Sequence, residues 1–307
     1  MTINIESYSF QEARDYFDKV LNPDKTSYRS SNDEPTPIDC IVDMMKSIPT
    51  EFWSRKDLKI LDPCCGNGNF GMVMFHELMK QTNSTTMDTL NSLYFNDTNQ
   101  DRLDNVSDFF CGSKTKLNIT NHDFLEQEYD EKFDLVVANP PYAKLQKDGK
   151  RSSKNHNLIK DFIDKSLSVL KPNGYLLFLT PNNWMSCADR NTLIKKLTKL
   201  QILHLDIHSA KKYFKKIGSS FTWYLIQNCP SFQNINITGL WKKQSYTSSV
   251  LSQERDYIPL LYNQMVQSIL TKTLDCDKYE KFQVKTSSDL HKYTKKIFTA
   301  LVHSIQQ

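Results

Sequence analysis

Asn139-Pro140-Pro141-Tyr142 brings together residue types that can bind a planar amine. Two consecutive prolines fix φ and remove two backbone N–H donors. They leave a rigid turn of acceptors, the Asn139 side-chain oxygen and the Pro140 carbonyl, with the flat ring of Tyr142 beside them. An acceptor pair next to an aromatic face suits a nucleobase amino group. The turn follows Phe133-Asp134-Leu135-Val136-Val137-Ala138, a buried-strand pattern, so it lies where a strand ends and a loop begins.

A second loop carries different chemistry. Asp62-Pro63-Cys64-Cys65-Gly66-Asn67-Gly68-Asn69-Phe70-Gly71 follows a first strand pattern, Leu58 to Leu61, and contains a G-x-G-x-x-G. Glycine there permits a tight turn and close approach of the backbone to a ligand. That spacing equally suits a dinucleotide, but Asp62 at the strand end discriminates. It would repel a pyrophosphate, whereas the sulfonium and amino groups of S-adenosylmethionine fit beside it. Asp97-Thr98, after a strand at Leu93 to Phe95, is placed to meet ribose hydroxyls. Asp123-Phe124, after a weak strand at Leu117 to Ile119, is placed to accept from an adenine amine and pack on its ring. Any one of these acids could instead be a loop-starting cap. Three at successive strand ends, in register with the glycine loop and the proline turn, outline one cofactor groove.

The elements that must hold these loops alternate from about residue 57 to 228. Helix patterns at Phe70 to Lys80, Leu158 to Leu170 and Asn191 to Leu200 separate the strands, with further strands at Tyr175 to Leu179, Ile202 to Ile207 and Phe221 to Ile226. This alternation predicts an α/β fold of Rossmann-like form, a mainly parallel sheet with helices on both faces. Ligands of such sheets bind beyond the carboxyl ends of the strands. From about residue 230 the alternation stops. The tail holds ten Lys or Arg against six Asp or Glu, with one helix pattern near Tyr262 to Leu270. Residues 1–229 are therefore expected to form the catalytic domain and 230–307 a small recognition region, with Trp241-Lys242-Lys243 and Lys285 to Lys296 as its basic stretches.

Composition sets bounds. The 307 residues are 39% hydrophobic, enough for a sizeable core, and the net charge of +4 permits a nucleic-acid partner without demanding one. No apolar run approaches the ~18 residues of a membrane span, and the N-terminus lacks a signal-peptide pattern. Seven cysteines without a CxxC pair read as reduced intracellular thiols, with no metal site expected. Abundant Lys, Asn and Ile with little Gly hint at an AT-rich microbe or a large DNA virus.

The two loops together resemble the S-adenosylmethionine-dependent DNA adenine methyltransferases. Asp62 to Gly68 is similar to their cofactor loop, with Asp62, Pro63, Cys64, Gly66 and Gly68 at its contact positions, and Asn139 to Tyr142 is similar to their catalytic turn. Cofactor loop first, catalytic turn second and recognition region last is the gamma-group order found in restriction–modification systems. Thr36-Pro37 resembles that group's N-terminal motif, whose backbone holds the cofactor carboxylate, although Asp33-Glu34-Pro35 stands where an aromatic is usual. Tyr213-Phe214 resembles the motif whose aromatic packs on the target base opposite the catalytic tyrosine, with Phe214 as the expected stacker and Tyr213 as the alternative. Thr180 to Trp184 resembles a segment lining the pocket. The resemblance covers roughly residues 30 to 228.

The resemblance implies methyl transfer to the exocyclic nitrogen of an adenine flipped out of duplex DNA. It also implies Asn139 as a contact shared by cofactor and target, and a cognate restriction endonuclease encoded nearby. Lys144, Lys147, Lys150, Arg151 and Lys154 follow the turn and oppose a single acid, Asp148, so this loop is expected to grip DNA phosphates, a solvated loop being the plainer reading. Other readings stay open: a methyltransferase of a protein glutamine amide, which shares the Asn-Pro-Pro-Tyr logic; an RNA methyltransferase; and a catalytically silent nucleic-acid-binding subunit. A nicotinamide dehydrogenase explains the glycines but not residues 139–142.

Overall fold

The computed structural model describes residues 5–22, 35–82, 84–111, 116–142, 158–185, 193–214 and 220–273. It divides into two units, Met1–Gln264 and Met265–Gln307. In chain order the elements are α1 (Phe10–Tyr16), α2 (Ile38–Met45), α3 (Thr50–Trp53), β1 (Ile60–Asp62), α4 (Asn69–Gln81), α5 (Thr86–Asn91), β2 (Leu93–Asn96), α6 (Gln100–Cys111), β3 (Asn118–Thr120) and β4 (Phe133–Ala138). They continue with α7 (Leu158–Val169), β5 (Leu170–Pro181), α8 (Leu193–Lys199), β6 (Leu200–Ile207), β7 (Phe221–Pro230), β8 (Ile235–Trp241), β9 (Gln244–Val250) and α9 (Gln264–Thr273). The second unit contributes the body of α9, which buries no side chain among its described residues.

The strands form a single nine-stranded sheet in the order β3-β2-β1-β4-β5-β7-β6-β8-β9. β1 to β6 and β8 run parallel, while β7 and β9 run opposite to their neighbours. The chain therefore departs from β1 and β4 in opposite directions along the sheet, toward β2 on one side and β5 on the other. That reversal opens a crevice at the carboxyl ends of the two central strands, the place where such sheets take ligands.

Both faces of the sheet are covered, which the strand sequences require. β4 is buried at all six positions, as a strand with helices above and below must be. Along β5 successive side chains point to opposite faces. Tyr175, Leu177 and Leu179 join the core built with α2, α4 and α6, through Met44, Met72, Phe109 and Phe110. Leu176 and Phe178 are equally buried and face the other way. On that second face Phe124 packs against Phe162 of α7, and Trp184 packs edge-on against Tyr224. The start of β4 is pinned by Asp134, whose carboxylate accepts from the Lys59 amide at 2.9 Å and from Lys171 Nζ at 2.7 Å.

The expected Rossmann-like sheet is present, and β4 spans the residues the sequence pattern indicates. Strand–helix alternation ends after β7, as expected, yet the chain beyond residue 230 continues the same sheet. β8 joins the sheet beside β6 and β9 completes the edge. β8 buries only Ile235, Ile237 and Gly239, and β9 is a polar edge strand with Val250 alone buried. Neither presents the apolar run that marked the central strands.

Candidate active site

Every loop singled out from the sequence that the structure describes leaves the carboxyl edge of the sheet. β1 ends on Asp62, β2 is followed by Asp97, and β4 is followed by Asn139. The register fixes their neighbourhood, since Leu61 pairs with Tyr94 on one side and Val136 on the other.

The glycine loop turns tightly into α4. Gly68 caps that helix at φ +89°, a conformation that L side chains rarely adopt, and a Cβ added there would meet Phe110 and Val106 at 3.1 and 3.2 Å. Gly66 also has positive φ, and its amide donates to Asp97 Oδ2 at 2.9 Å. Asp97 Oδ1 accepts from the Asn99 amide at 2.9 Å, so this carboxylate ties the first loop to the second. Thr98 beside it is exposed.

Asp62 is the unusual acid. It is 4% exposed; Oδ1 accepts from the Cys64 amide at 3.3 Å, while Oδ2 is buried with no hydrogen-bond partner. Burial pushes its carboxyl well above the usual carboxylate range, and the charge of Asp97 pushes the same way. A buried, half-satisfied carboxylate is costly in a folded protein unless a donor or cation completes it. Cys64 and Cys65 are held as neutral thiols by burial, reinforced by the Asp62 charge.

At the proline turn, Asn139 is held from both ends. Its Nδ2 donates to Thr36 Oγ1 at 3.1 Å, and the Tyr142 hydroxyl donates to its Oδ1. Cys64 Sγ lies 3.8 Å from the Asn139 carbonyl, which brings the glycine loop against the catalytic-turn candidate. Thr36 is itself buried, and its carbonyl accepts from Asn69 Nδ2 at 2.9 Å. The N-terminal segment is thereby docked on the first turn of α4. Pro140 is buried; Pro141 and Tyr142 are half-buried.

The structure thus brings Thr36, Asp62, Cys64, Gly66, Gly68, Asp97 and Asn139 together at the carboxyl edge of the sheet. Five other candidates sit differently. Asp123 is exposed, and its Oδ1 accepts from the Leu125 amide at 2.9 Å, a local cap. Phe124 is buried against Phe162. Phe214 is 1% exposed and packs on Phe221 with ring centroids 4.9 Å apart; Phe221 in turn lies 6.0 Å from Tyr142. A base could reach Phe214 only after the ring left this packing. Tyr213 donates its hydroxyl to Asp43 Oδ2 on α2. Trp184 is buried, donating to Thr222 Oγ1 at 3.1 Å. Lys144, Lys147, Lys150, Arg151 and Lys154 lie outside the described residues.

Sequence reasoning missed Asn96, the hub of the carboxyl edge. Its Nδ2 donates to the carbonyls of Pro63 and His122 at 3.0 and 3.1 Å. Its Oδ1 accepts from Thr120 Oγ1 at 2.8 Å and the His122 amide at 3.3 Å. One fully satisfied, buried amide therefore joins the ends of β1, β2 and β3. The available signal was a polar residue closing the apolar run Leu93-Tyr94-Phe95. Asn67 and Asn105 extend the belt, with Asn105 Nδ2 donating to Asn67 Oδ1 at 3.1 Å.

Residues 75–214 match the family model described as Eco57I restriction-modification methylase. This stretch is similar to an Eco57I-type methylase domain. It takes in Asp97, Asp123 and the whole 139–142 turn, and begins inside α4, just beyond the glycine loop. Among curated proteins, the chain is 28% identical over 214 residues to the type II methyltransferase M.VspI of Vibrio sp. (strain 343), covering 66% of this chain and 49% of that one. It is 25% identical over 236 residues to the modification methylase CviBIII of Paramecium bursaria Chlorella virus NC1A, covering 74% and 57%. The chain thus spans about half the length of the curated relatives it matches. A class I S-adenosylmethionine-dependent methyltransferase of Listeria monocytogenes shares the fold, with a TM-score of 0.56 at 19% identity over 75% of this chain and 71% of that one. The sheet, with its reversed β7 between β5 and β6, has the class I methyltransferase fold.

Among the described residues no group of three His, Cys, Asp or Glu side chains is placed to hold a metal ion. No described helix is long and apolar enough to cross a membrane.

Proposed function

We propose that this methylase transfers a methyl group to the exocyclic nitrogen of an adenine flipped out of duplex DNA, as part of a restriction–modification system. The observation that carries the reading is the Asn139 amide, held between Thr36 and Tyr142 at the carboxyl end of β4 with its oxygen toward the aromatic ring.

The crevice fits the cofactor class. Asp62 supplies a buried carboxylate oxygen that lacks a donor, Gly66 and Gly68 leave the loop without side chains, and Asp97 and Thr98 follow the neighbouring strand. Asp62, Gly66, Gly68, Asp97, Thr36 and Asn139 would hold S-adenosylmethionine, which supplies an electrophilic methyl group on a sulfonium. Asp123 and Phe124 follow β3 and would serve the adenine end only after local rearrangement, Asp123 being a local cap and Phe124 packed on Phe162.

The chain's own residues would do the rest. An aromatic amine is a poor nucleophile because its lone pair is delocalised into the ring. Accepting its two N–H bonds on Asn139 Oδ1 and the Pro140 carbonyl favours a pyramidal nitrogen and localises that pair. Positioning and preorganised dipoles carry such a step, and no proton acceptor is required of Asn139 before transfer. The target amine displaces the Tyr142 hydroxyl from Asn139 Oδ1, and the Tyr142 ring stacks on the base. Stacking returns about 1–3 kcal/mol per base, which offsets part of the few kcal/mol that unstacking costs. Phe214 acts by holding Phe221 beneath Tyr142 unless it moves.

The test is to incubate the protein with labelled S-adenosylmethionine and, separately, unmethylated plasmid DNA, RNA and a translation release factor. The expected product is labelled N6-methyladenine in duplex DNA, abolished by Asn139→Ala. Label confined to RNA or protein would overturn the substrate, and full activity in Asn139→Ala would overturn the mechanism.

A further inference from the structure

β8 runs parallel to β1 and β4, so the hairpin that leaves it projects from the same carboxyl edge as Asn139. Its tip is Lys242-Lys243, a two-residue loop closed by the pair Trp241 and Gln244. Both lysines have positive φ, 49° and 66°. A two-residue hairpin with two positive φ values ordinarily uses Asn-Gly or Gly-Gly. Here two long cations occupy conformations that L residues rarely adopt. Backbone outliers of this kind point toward function.

The tip is also open. Trp241, Lys242, Lys243, Gln244 and Ser245 are exposed, and among the described residues no carboxylate lies within ion-pair distance of either lysine. The ribbon behind it is braced. Gly239 leaves room for the Tyr246 ring, which an added Cβ would meet at 2.4 Å. The Tyr246 hydroxyl donates to the Leu260 carbonyl at 2.8 Å and accepts from the Tyr262 amide at 3.2 Å. β8 pairs with β6 only as far as Gly239, so the hairpin beyond it is two-stranded, one of the shapes that the major groove of DNA admits.

We propose that the β8–β9 ribbon is a second duplex-DNA contact, with Lys242 and Lys243 on phosphates; this rests on the DNA reading given above. β8 lies four strands from β4 in the sheet, a lateral offset of about 19 Å at roughly 4.8 Å per strand. At about 3.4 Å per base pair, that reaches phosphates some five to six pairs from the flipped base. The ribbon thus sets the angle and register of the duplex over the crevice, with Gln244 and Ser245 beside the bases.

The test measures binding of a fluorescent 40-bp random-sequence duplex by anisotropy across a NaCl series. The variant K242N/K243G installs the turn that the backbone prefers. It should raise the thermal midpoint by about 2–6 °C, yet flatten the slope of log K against log[salt] by about 1.8, or 0.9 per phosphate released. K242R/K243R should keep the wild-type slope. A K242N/K243G protein that is more stable and binds with the wild-type slope would overturn the proposal. So would an arginine variant as weak as K242N/K243G, since the effect would then not be charge. Asn139→Ala separates the two readings: it should bind with the full slope while methylating nothing. Wild-type methylation with unaltered binding in K242N/K243G rejects the ribbon alone, whereas a wild-type protein that binds no duplex rejects both.

Discussion

Replacing Thr36 by Val isolates the bond it makes with the Asn139 amide. Val keeps the volume and the backbone carbonyl that receives Asn69 Nδ2, and removes only the acceptor 3.1 Å from Asn139 Nδ2. Thr36 is 4% exposed, so water cannot take its place at the amide. A buried donor left unmatched costs about 1–3 kcal/mol. In the observed arrangement the Thr36 hydroxyl accepts from the Asn139 nitrogen, which leaves the amide oxygen facing the Tyr142 hydroxyl. Without Thr36 the amide can turn over and present N–H to an incoming amine, which has no acceptor to offer in return. If that cost falls on the transition state, kcat/KM should drop about 5- to 150-fold at 1.36 kcal/mol per decade. The loss should appear mainly in kcat, with S-adenosylmethionine affinity changed less than twofold. Thr36→Ser restores the hydroxyl and should recover to within about threefold. Single-turnover methylation gives the rate, and calorimetric titration gives the cofactor affinity. A Val variant with wild-type kcat, or a Ser variant as slow as Val, would refute the orienting role.

Four further outcomes are expected. Asp62→Asn should stabilise the ligand-free protein at neutral pH by about 1–3 kcal/mol while weakening cofactor binding, read by thermal melts with and without ligand. The sign follows from burial: the Asp62 carboxyl is raised in the folded state, so its contribution is favourable below the unfolded value and is lost as pH rises through the folded one. A cationic ligand needs the ionised form, so affinity should climb with pH in the wild type and stay flat in the Asn variant. Tyr142→Phe keeps the ring and frees Asn139 Oδ1, so methylation should hold within about threefold, whereas Tyr142→Ala should lose about 5- to 150-fold with the stacking surface. Asn96→Ala unmakes four hydrogen bonds at three strand ends and should cost about 2–4 kcal/mol in urea titrations, with weaker cofactor binding. His204, stacked on Trp223, is depressed by burial to about 4. Its stability contribution is intact above the unfolded value near 6.5 and lost as pH falls toward 4, so His204→Gln should flatten the acid side of the pH–stability curve.

The central sheet was legible because its strands are short apolar runs closed by chemically distinctive residues. Asp62, Asp97 and Asn139 each mark the step from strand to loop, and the parallel order follows from the helices between them. Thr36 was legible as a site residue, but its bond to Asn139 spans 103 positions and has no local pattern. Phe214 is a different case. An aromatic near the pocket in sequence can serve by stacking on a ligand or by filling the core, and only packing on Phe221 separates the two. The Asn96 hub and the β8–β9 ribbon escaped notice for a common reason. Asn96 and the Gln, Ser and Thr residues of β9 do their structural work through hydrogen bonds that hydrophobic periodicity does not register, and β8 carries only a short alternation of Ile with Asn and Thr.

The bond between β8 and β6 bears on how the protein can be dissected. A fragment stopped near residue 230, where apolar patterning fades, would strip one flank of β6 of its backbone partners from His204 to Ile207. It would also uncover a seam that holds Leu205 and Ile207 out of water. Bare edges of that kind recruit other chains, so such a fragment should precipitate on expression, and a soluble core should require the sequence through at least Val250.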